Sequence, residues 1–305
     1  MKRKFTYYIF LATICSLFLF ILFIKPDKKF LFQNAIGDCS GRTEFIYDVL
    51  YHHPSQFNAD VVLFGSSRTM NGFNDSTIGK TTYLNLGYCR FGRNLDAYFI
   101  EEYLKNHTPS KIVVEIRESE GNNSHPLTPF LLPVSQITEG FISPDLDVFK
   151  HLSNKWLYNL KYLRGCFFSK KTNSEFNNLK EKGFWENKEI TLAKNLVKQK
   201  INDSIKLSNT TFQKESLNHN SKYYLNRIQK LCDKKHITLY FLYMPSYGNL
   251  TKKPHCENDY LKYGEVIVLE DDIFNNVDYY ANYDHLSKKG SYFFSLRLKK
   301  ILKEK

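Results

Sequence analysis

No C-x-x-C pair occurs among the six cysteines, which argues against a zinc ribbon. No dense Lys/Arg block and no nucleic-acid motif occurs either. The excess of 43 Lys+Arg over 31 Asp+Glu, a net charge of +12, therefore reads as lysines scattered over a solvated face, with no nucleic-acid partner. Such a surface also favours anionic cell-surface polymers or lipid headgroups. No internal repeat or low-complexity segment is present, and no cofactor or metal is expected. The 305 residues suffice for one large domain or two small ones.

What is present is clearest at the N-terminus. MKRK precedes FTYYIFLATICSLFLFILFI, Phe5 to Ile24, which carries no charge. Twenty helical residues at about 1.5 Å each match the roughly 30 Å hydrocarbon core of a bilayer. A cleaved signal peptide has a shorter apolar run and a small-residue cleavage site. Cys15 does not suit a lipoprotein, because Ile14 stands where a small residue belongs. The segment reads as an uncleaved anchor in contact with membrane lipid. Lys2, Arg3 and Lys4 favour a cytoplasmic N-terminus, while Lys25, Lys28 and Lys29 oppose it. The expected division is 1–29 for tip and anchor and 30–305 for a main domain facing outward.

Cys39, Cys89, Cys166, Cys232 and Cys256 follow the anchor. An oxidising compartment permits one or two disulfides with at least one thiol left over; buried free cysteines fit equally well.

Hydrophobic periodicity predicts helices at 43–53, 93–107, 147–163, 188–203, 222–235 and 287–304. It predicts strands at 60–64, 81–88, 111–117, 237–245 and 265–270. Ser287 suits the N-cap of the last helix. The segment 126–220 mixes proline-rich loops with helical runs and reads as a helical insertion. Strands alternating with helices imply an α/β fold: a mostly parallel sheet covered on both faces, in three layers. Ligands bind such sheets at the carboxyl ends of the strands.

VVLFGSSRTMNGF, Val61 to Phe73, places Gly65, Ser66 and Ser67 at that edge. A serine nucleophile needs a base, a group that orients the base, and donors for an oxyanion. Alone, G-S-S is an ordinary turn. NYDHLSKKG, Asn282 to Gly290, supplies His285 just before the last helix, with Asp284 beside it. A carboxylate there would fix the ring tautomer and offset the helix dipole; a surface D-H pair is the plainer reading. NLGYCRFGRN, Asn85 to Asn94, offers backbone N–H groups at Gly87 and Gly92, and Arg90 and Arg93 for an anion, or merely a strand-to-helix turn. VVEIRESEGNNSHP, Val113 to Pro126, leaves a strand with Glu115, Arg117, Glu118 and Glu120, which suits a structural ion-pair cluster. His125 reads as structural.

In this order, the pieces resemble the SGNH/GDSL hydrolase superfamily over roughly 60–118 and 277–305. FGSSRTMNG, NLGYCRFGRN and VVEIRESE together resemble a membrane-anchored bacterial cell-envelope branch. The resemblance implies an SGNH/flavodoxin-like fold, Ser67 as nucleophile and His285 as general base. It implies Gly92, or else Gly87, as oxyanion donor beside the Ser67 N–H, and Arg90 and Arg117 near substrate. It implies an esterase or O-acyltransferase acting on acyl groups of cell-envelope polysaccharide, outside the cytoplasmic membrane. Its partners would be the glycan or another acyl-bearing substrate, and a membrane-bound acyltransferase. Two departures stand out. The family places its acid three residues before the histidine, where this chain has Asn282, with Asp284 at minus one. The third-block asparagine is missing, leaving Arg117, Asn122 or Asn123 in its stead. A non-catalytic accessory or glycan-binding protein, or an anchored structural domain, is the alternative.

Overall fold

A computed structural model describes residues 2–33, 40–75, 82–118, 120, 125, 127–138, 148–168, 216–247, 253–269, 271–274, 276–282 and 284–304. The helices are α1 (Lys2–Phe23), α2 (Lys28–Gln33), α3 (Ser40–Tyr47), α4 (Ser67–Gly72), α5 (Arg93–Tyr103), α6 (Thr128–Leu131), α7 (Val134–Thr138), α8 (Val148–Phe168), α9 (His219–Lys234) and α10 (Lys288–Glu304). A π-helical turn, Asp48–His52, extends α3, and shorter helical turns lie between these elements. The strands are β1 (Val61–Phe64), β2 (Tyr83–Asn85), β3 (Lys111–Ile116), β4 (Thr238–Tyr243) and β5 (Glu265–Ile267). The helix expected at 188–203 lies outside the described residues.

The chain forms two compact units: Met1–Gly37 with Pro126–Asn177, and Asp38–His125 with Asn178–Lys305. The first unit carries one helix, Lys4–Phe23, long and apolar enough to cross a membrane. Its large side chains, Phe10, Leu17 and Phe20 among them, are exposed, unlike those of a core helix. In the same unit, α8 packs on α1, α6 and α7.

The second unit is α/β. Its five strands are all parallel, in the order β2-β1-β3-β4-β5. The central strands β1 and β3 are buried on both faces and are apolar apart from Lys111 and Glu115 of β3. Val61, Leu63, Val113, Tyr240, Leu242 and Ile267 share one core with Phe294, Leu298 and Leu302 of α10. The alternate residues Val62, Phe64, Ile112, Val114, Leu239 and Phe241 are also buried, and Phe64 meets Tyr103 of α5. Helices α5 and α9 pack together, touching β1 and β4 respectively. Strands β2 and β5 are shorter than periodicity suggests. Cys89 is disulfide-bonded, and Cys15, Cys166 and Cys232 are free thiols.

Candidate active site

The turn after β1 is built around Gly65. Its φ is +155°, and a Cβ there would lie 2.5 Å from Glu115 Cβ, so only glycine fits. Ser66 then caps α4: its Oγ accepts from Arg68 N at 3.1 Å. The buried Glu115 carboxylate on β3 holds this turn. It accepts from Ser66 N (2.8 Å), Ser66 Oγ (2.7 Å to Oε1), Thr69 N (3.2 Å) and Thr69 Oγ1 (2.8 Å). Arg117 adds Nε to Glu115 Oε1 at 2.9 Å and Nη2 to Ser66 Oγ at 2.5 Å, and stacks on Phe91. Burial alone would raise the Glu115 carboxyl. Arg117, Arg68 and the donated hydrogen bonds outweigh it and bring the carboxyl down to about 2.

Ser67, the first residue of α4, is half-buried. Its Oγ lies 2.8 Å from Nε2 of His285. The other ring nitrogen, Nδ1, lies 2.9 Å from Oδ1 of Asn282. That oxygen also accepts the backbone N–H groups of Asp284 (3.0 Å) and His285 (2.9 Å). Two N–H donors identify the atom as the carbonyl oxygen, not the amide nitrogen. Nδ1 must therefore carry the proton. A neutral ring then presents a lone pair at Nε2, toward the Ser67 hydroxyl. This is the arrangement a general base requires.

The histidine loop is tied to the end of the sheet. Ala281 N donates to His285 O at 2.9 Å, and Ser287 N to Tyr279 O at 2.8 Å. Leu286 is buried in the core, and Ser287 Oγ accepts from Gly290 N at the start of α10. Gly290 leaves no room for a side chain: a Cβ would lie 2.0 Å from Tyr279 O.

Asp284 does not hold the imidazole. Its Oδ1 accepts from Arg68 Nη2 at 2.8 Å and Ser246 Oγ at 2.9 Å. Arg68 is buried and also donates to Met244 O (2.6 Å), Ser246 Oγ (2.5 Å) and Glu118 Oε2 (3.2 Å). Glu118 accepts from Ser246 N as well. One guanidinium thus joins the exits of β3 and β4 to the histidine loop. Burial raises the Asp284 carboxyl, but Arg68 and Ser246 outweigh it and leave it below the ordinary carboxylate range. No local sequence pattern announces these partners of Arg68.

The other candidates surround this centre. Asn85 is fully buried and donates Nδ2 to Thr69 O (2.9 Å) and Phe73 O (2.7 Å), closing the end of α4. Its Oδ1 accepts the Gly87 N–H at 2.9 Å, so that donor is already engaged. Gly92 is the N-cap of α5 and abuts His125. His125 is buried and donates Nε2–H to Cys89 O at 2.7 Å; burial lowers it to about 4. Arg90 is exposed, with φ of +63°. Asn122 and Asn123 lie outside the described residues. Arg93 is buried against Asp96 and Glu120 and donates to Glu115 O at 3.0 Å.

Among the described residues, one group could hold a metal ion, away from this centre in sequence: Asp48, His52 and His53. Both imidazoles hydrogen-bond the Asp48 carboxylate, at 3.0 and 2.7 Å. No protein-family model matches the chain, and no curated protein is found similar to it.

Proposed function

We propose that the chain is a membrane-anchored, SGNH-like serine esterase or O-acyltransferase that acts on acyl groups of a cell-envelope polysaccharide. The Ser67–His285–Asn282 relay carries this reading. The fold is taken as the three-layer αβα arrangement of the SGNH/flavodoxin type, which the strand order and the two buried sheet faces favour. The membrane is a bacterial cytoplasmic membrane, crossed once by α1, with the main domain on the outer side; Lys2, Arg3 and Lys4 favour this orientation.

Ser67 Oγ attacks the acyl carbonyl carbon while its proton passes to Nε2 of His285. The oxyanion falls to the Ser67 N–H and the Gly92 N–H. Collapse breaks the acyl–oxygen bond, and the leaving alkoxide takes the proton back from His285. Water or a sugar hydroxyl then gives its proton to His285 and attacks the acyl-serine carbonyl carbon; collapse breaks the Ser67 Oγ–acyl bond, and His285 returns the proton to Ser67 Oγ as the acid or the new sugar ester leaves. In this reading Arg117 and Arg90 meet an anionic group of the substrate.

A fluorophosphonate probe tests this. The full chain in detergent should become covalently labelled at Ser67, and Ser67→Ala and His285→Ala should not. A folded chain that takes up no label overturns the enzyme reading.

A second reading follows from Asn282, which orients imidazole but lends no negative charge to an imidazolium. An accessory protein would hold the glycan, or a membrane-bound acyltransferase, at the same residues without turnover. Envelope acylation that survives Ser67→Ala but not deletion of the chain selects this reading.

A further inference from the structure

Helix α8 exposes large apolar side chains along one side. Phe149 is 70% exposed, Leu157 57% and Leu160 40%. With Trp156 they fall at i, i+7, i+8 and i+11, one stripe of an α-helix at 3.6 residues per turn. The opposite side is buried through Lys155, Tyr158 and Asn159.

Contacts with α1 give that stripe a direction. Trp156 stacks on Phe18 with ring centroids 5.4 Å apart, and Phe18 lies inside the apolar span Lys4–Phe23. Asn159 donates to Ile21 O (2.8 Å), Leu22 O (3.1 Å) and Ile24 O (3.1 Å), carbonyls at and just past the end of α1. Helix α8 therefore crosses α1 where α1 leaves its apolar span. Its Trp156 edge points back toward that span. Phe149 and Leu160 share this edge by helical angle, and Leu157 lies beside it. Charge follows the same geometry. α8 has no acidic residue, and Lys150, Lys161 and Arg164 are exposed. Lys28 and Lys29 stand just past the end of α1.

We propose that α8 lies on the bilayer surface beside the end of α1. Phe149, Trp156, Leu157 and Leu160 sit at the boundary of headgroups and acyl chains, and Lys150, Lys161 and Arg164 meet anionic headgroups. Interfacial helices combine such an apolar stripe with a basic flank, and tryptophan concentrates at this depth. The inference rests on α1 being a membrane anchor. A bound α8 makes a second attachment that fixes how the chain emerges from the membrane.

Site-directed fluorescence on the full chain tests it. Cys15 and Cys166 are replaced by serine, and NBD is attached at Leu160→Cys or, separately, at Leu17→Cys in α1. Each protein is reconstituted in phosphatidylcholine/phosphatidylglycerol vesicles containing 5-doxyl or 12-doxyl lipid. The Leu160 label should be quenched more by 5-doxyl than by 12-doxyl lipid and shielded from aqueous iodide. In pure phosphatidylcholine, or with Lys150→Gln and Lys161→Gln, its doxyl quenching should fall at least twofold. A Leu160 label open to iodide and unaffected by doxyl lipid, with the Leu17 label quenched, overturns the proposal and keeps the anchor. A label shielded from iodide yet unaffected by doxyl lipid points to a protein cover and also overturns it. Equal quenching without anionic lipid overturns the headgroup contact. If the Leu17 label is not quenched either, the anchor reading falls and the proposal falls with it.

Discussion

Oδ1 of Asn282 lies 2.9 Å from Nδ1 of His285, in the place where a catalytic triad usually holds a carboxylate. The amide fixes the tautomer through its carbonyl oxygen, which already accepts two backbone N–H groups. It supplies direction without charge. An imidazolium formed during acyl transfer would thus be oriented but not neutralised.

Asn282→Asp should therefore raise the rate of Ser67 labelling. A carboxylate accepts the same three hydrogen bonds and adds a full charge beside the ring. The expected gain is about tenfold or more near neutral pH, with the pH midpoint of labelling moved upward. Asn282→Leu should lower the rate, because the tautomer is no longer set. Probe kinetics against pH measure both; an unchanged rate in Asn282→Asp refutes the benefit of charge, and an unchanged rate in Asn282→Leu refutes the orienting role.

Glu115 acts on the site from below. Its carboxyl is held at about 2, under the ordinary carboxylate value. Its stabilising contribution is full above about pH 4.3 and is lost as pH falls toward 2. Glu115→Gln presents an NH2 group to donors that need an acceptor and leaves Arg117 without its charge partner. A loss on the order of 3 kcal/mol is expected in denaturant unfolding of the full chain in detergent. The difference between wild type and variant should shrink as the pH approaches 2.

Arg68 and Asp284 separate stability from positioning. The Asp284 side chain is 49% exposed, so its ion pair with Arg68 contributes little, below about 1 kcal/mol. Yet it joins the residue after Ser67 to the residue before His285. Asp284→Asn should leave the unfolding midpoint nearly unchanged while slowing probe labelling several-fold. The folded carboxyl titrates below its ordinary value, so the pair persists through neutral pH and weakens only under acid conditions. Equal labelling rates for variant and wild type would show that the clamp does not position the histidine.

Much of this centre was legible in the sequence, and the reasons are physical. Strands buried on both faces are near-continuous apolar runs, so VVLF, KIVVEI and TLYFLY announced themselves, with Glu115 the one buried charge among them. Ser67 and His285 follow from short motifs whose spacing reflects local turns. Gly65 and Gly290 belong to those motifs because no side chain fits at either place. Arg68 was not legible: its partner Asp284 is 216 residues away, and Met244 offers it only a backbone carbonyl. Nor could sequence decide between Asn282 and Asp284. That choice depends on a tight loop closed by Ala281 N to His285 O, which turns one side chain to the ring and the other to Arg68.

His125 offers a test of the frame around the site. It is buried with Nε2–H donated to Cys89 O, and burial lowers it to about 4, against about 6.5 for an exposed imidazole. For a group lowered on folding, the stabilising contribution is complete above the unfolded value. It drains away as pH falls from about 6.5 to about 4, because the unfolded chain takes up its proton first. His125→Gln can keep an amide donor near Cys89 O and removes the titration. Wild type should thus lose on the order of 2–3 kcal/mol relative to this variant between pH 6.5 and 4, as read from parallel unfolding curves. Asp96, which burial raises to about 7, titrates across the same range in both proteins and cancels in the difference. A flat difference curve would mean that His125 stays accessible to protons in the folded chain. The packing of Gly92 against it would then be looser than the geometry states.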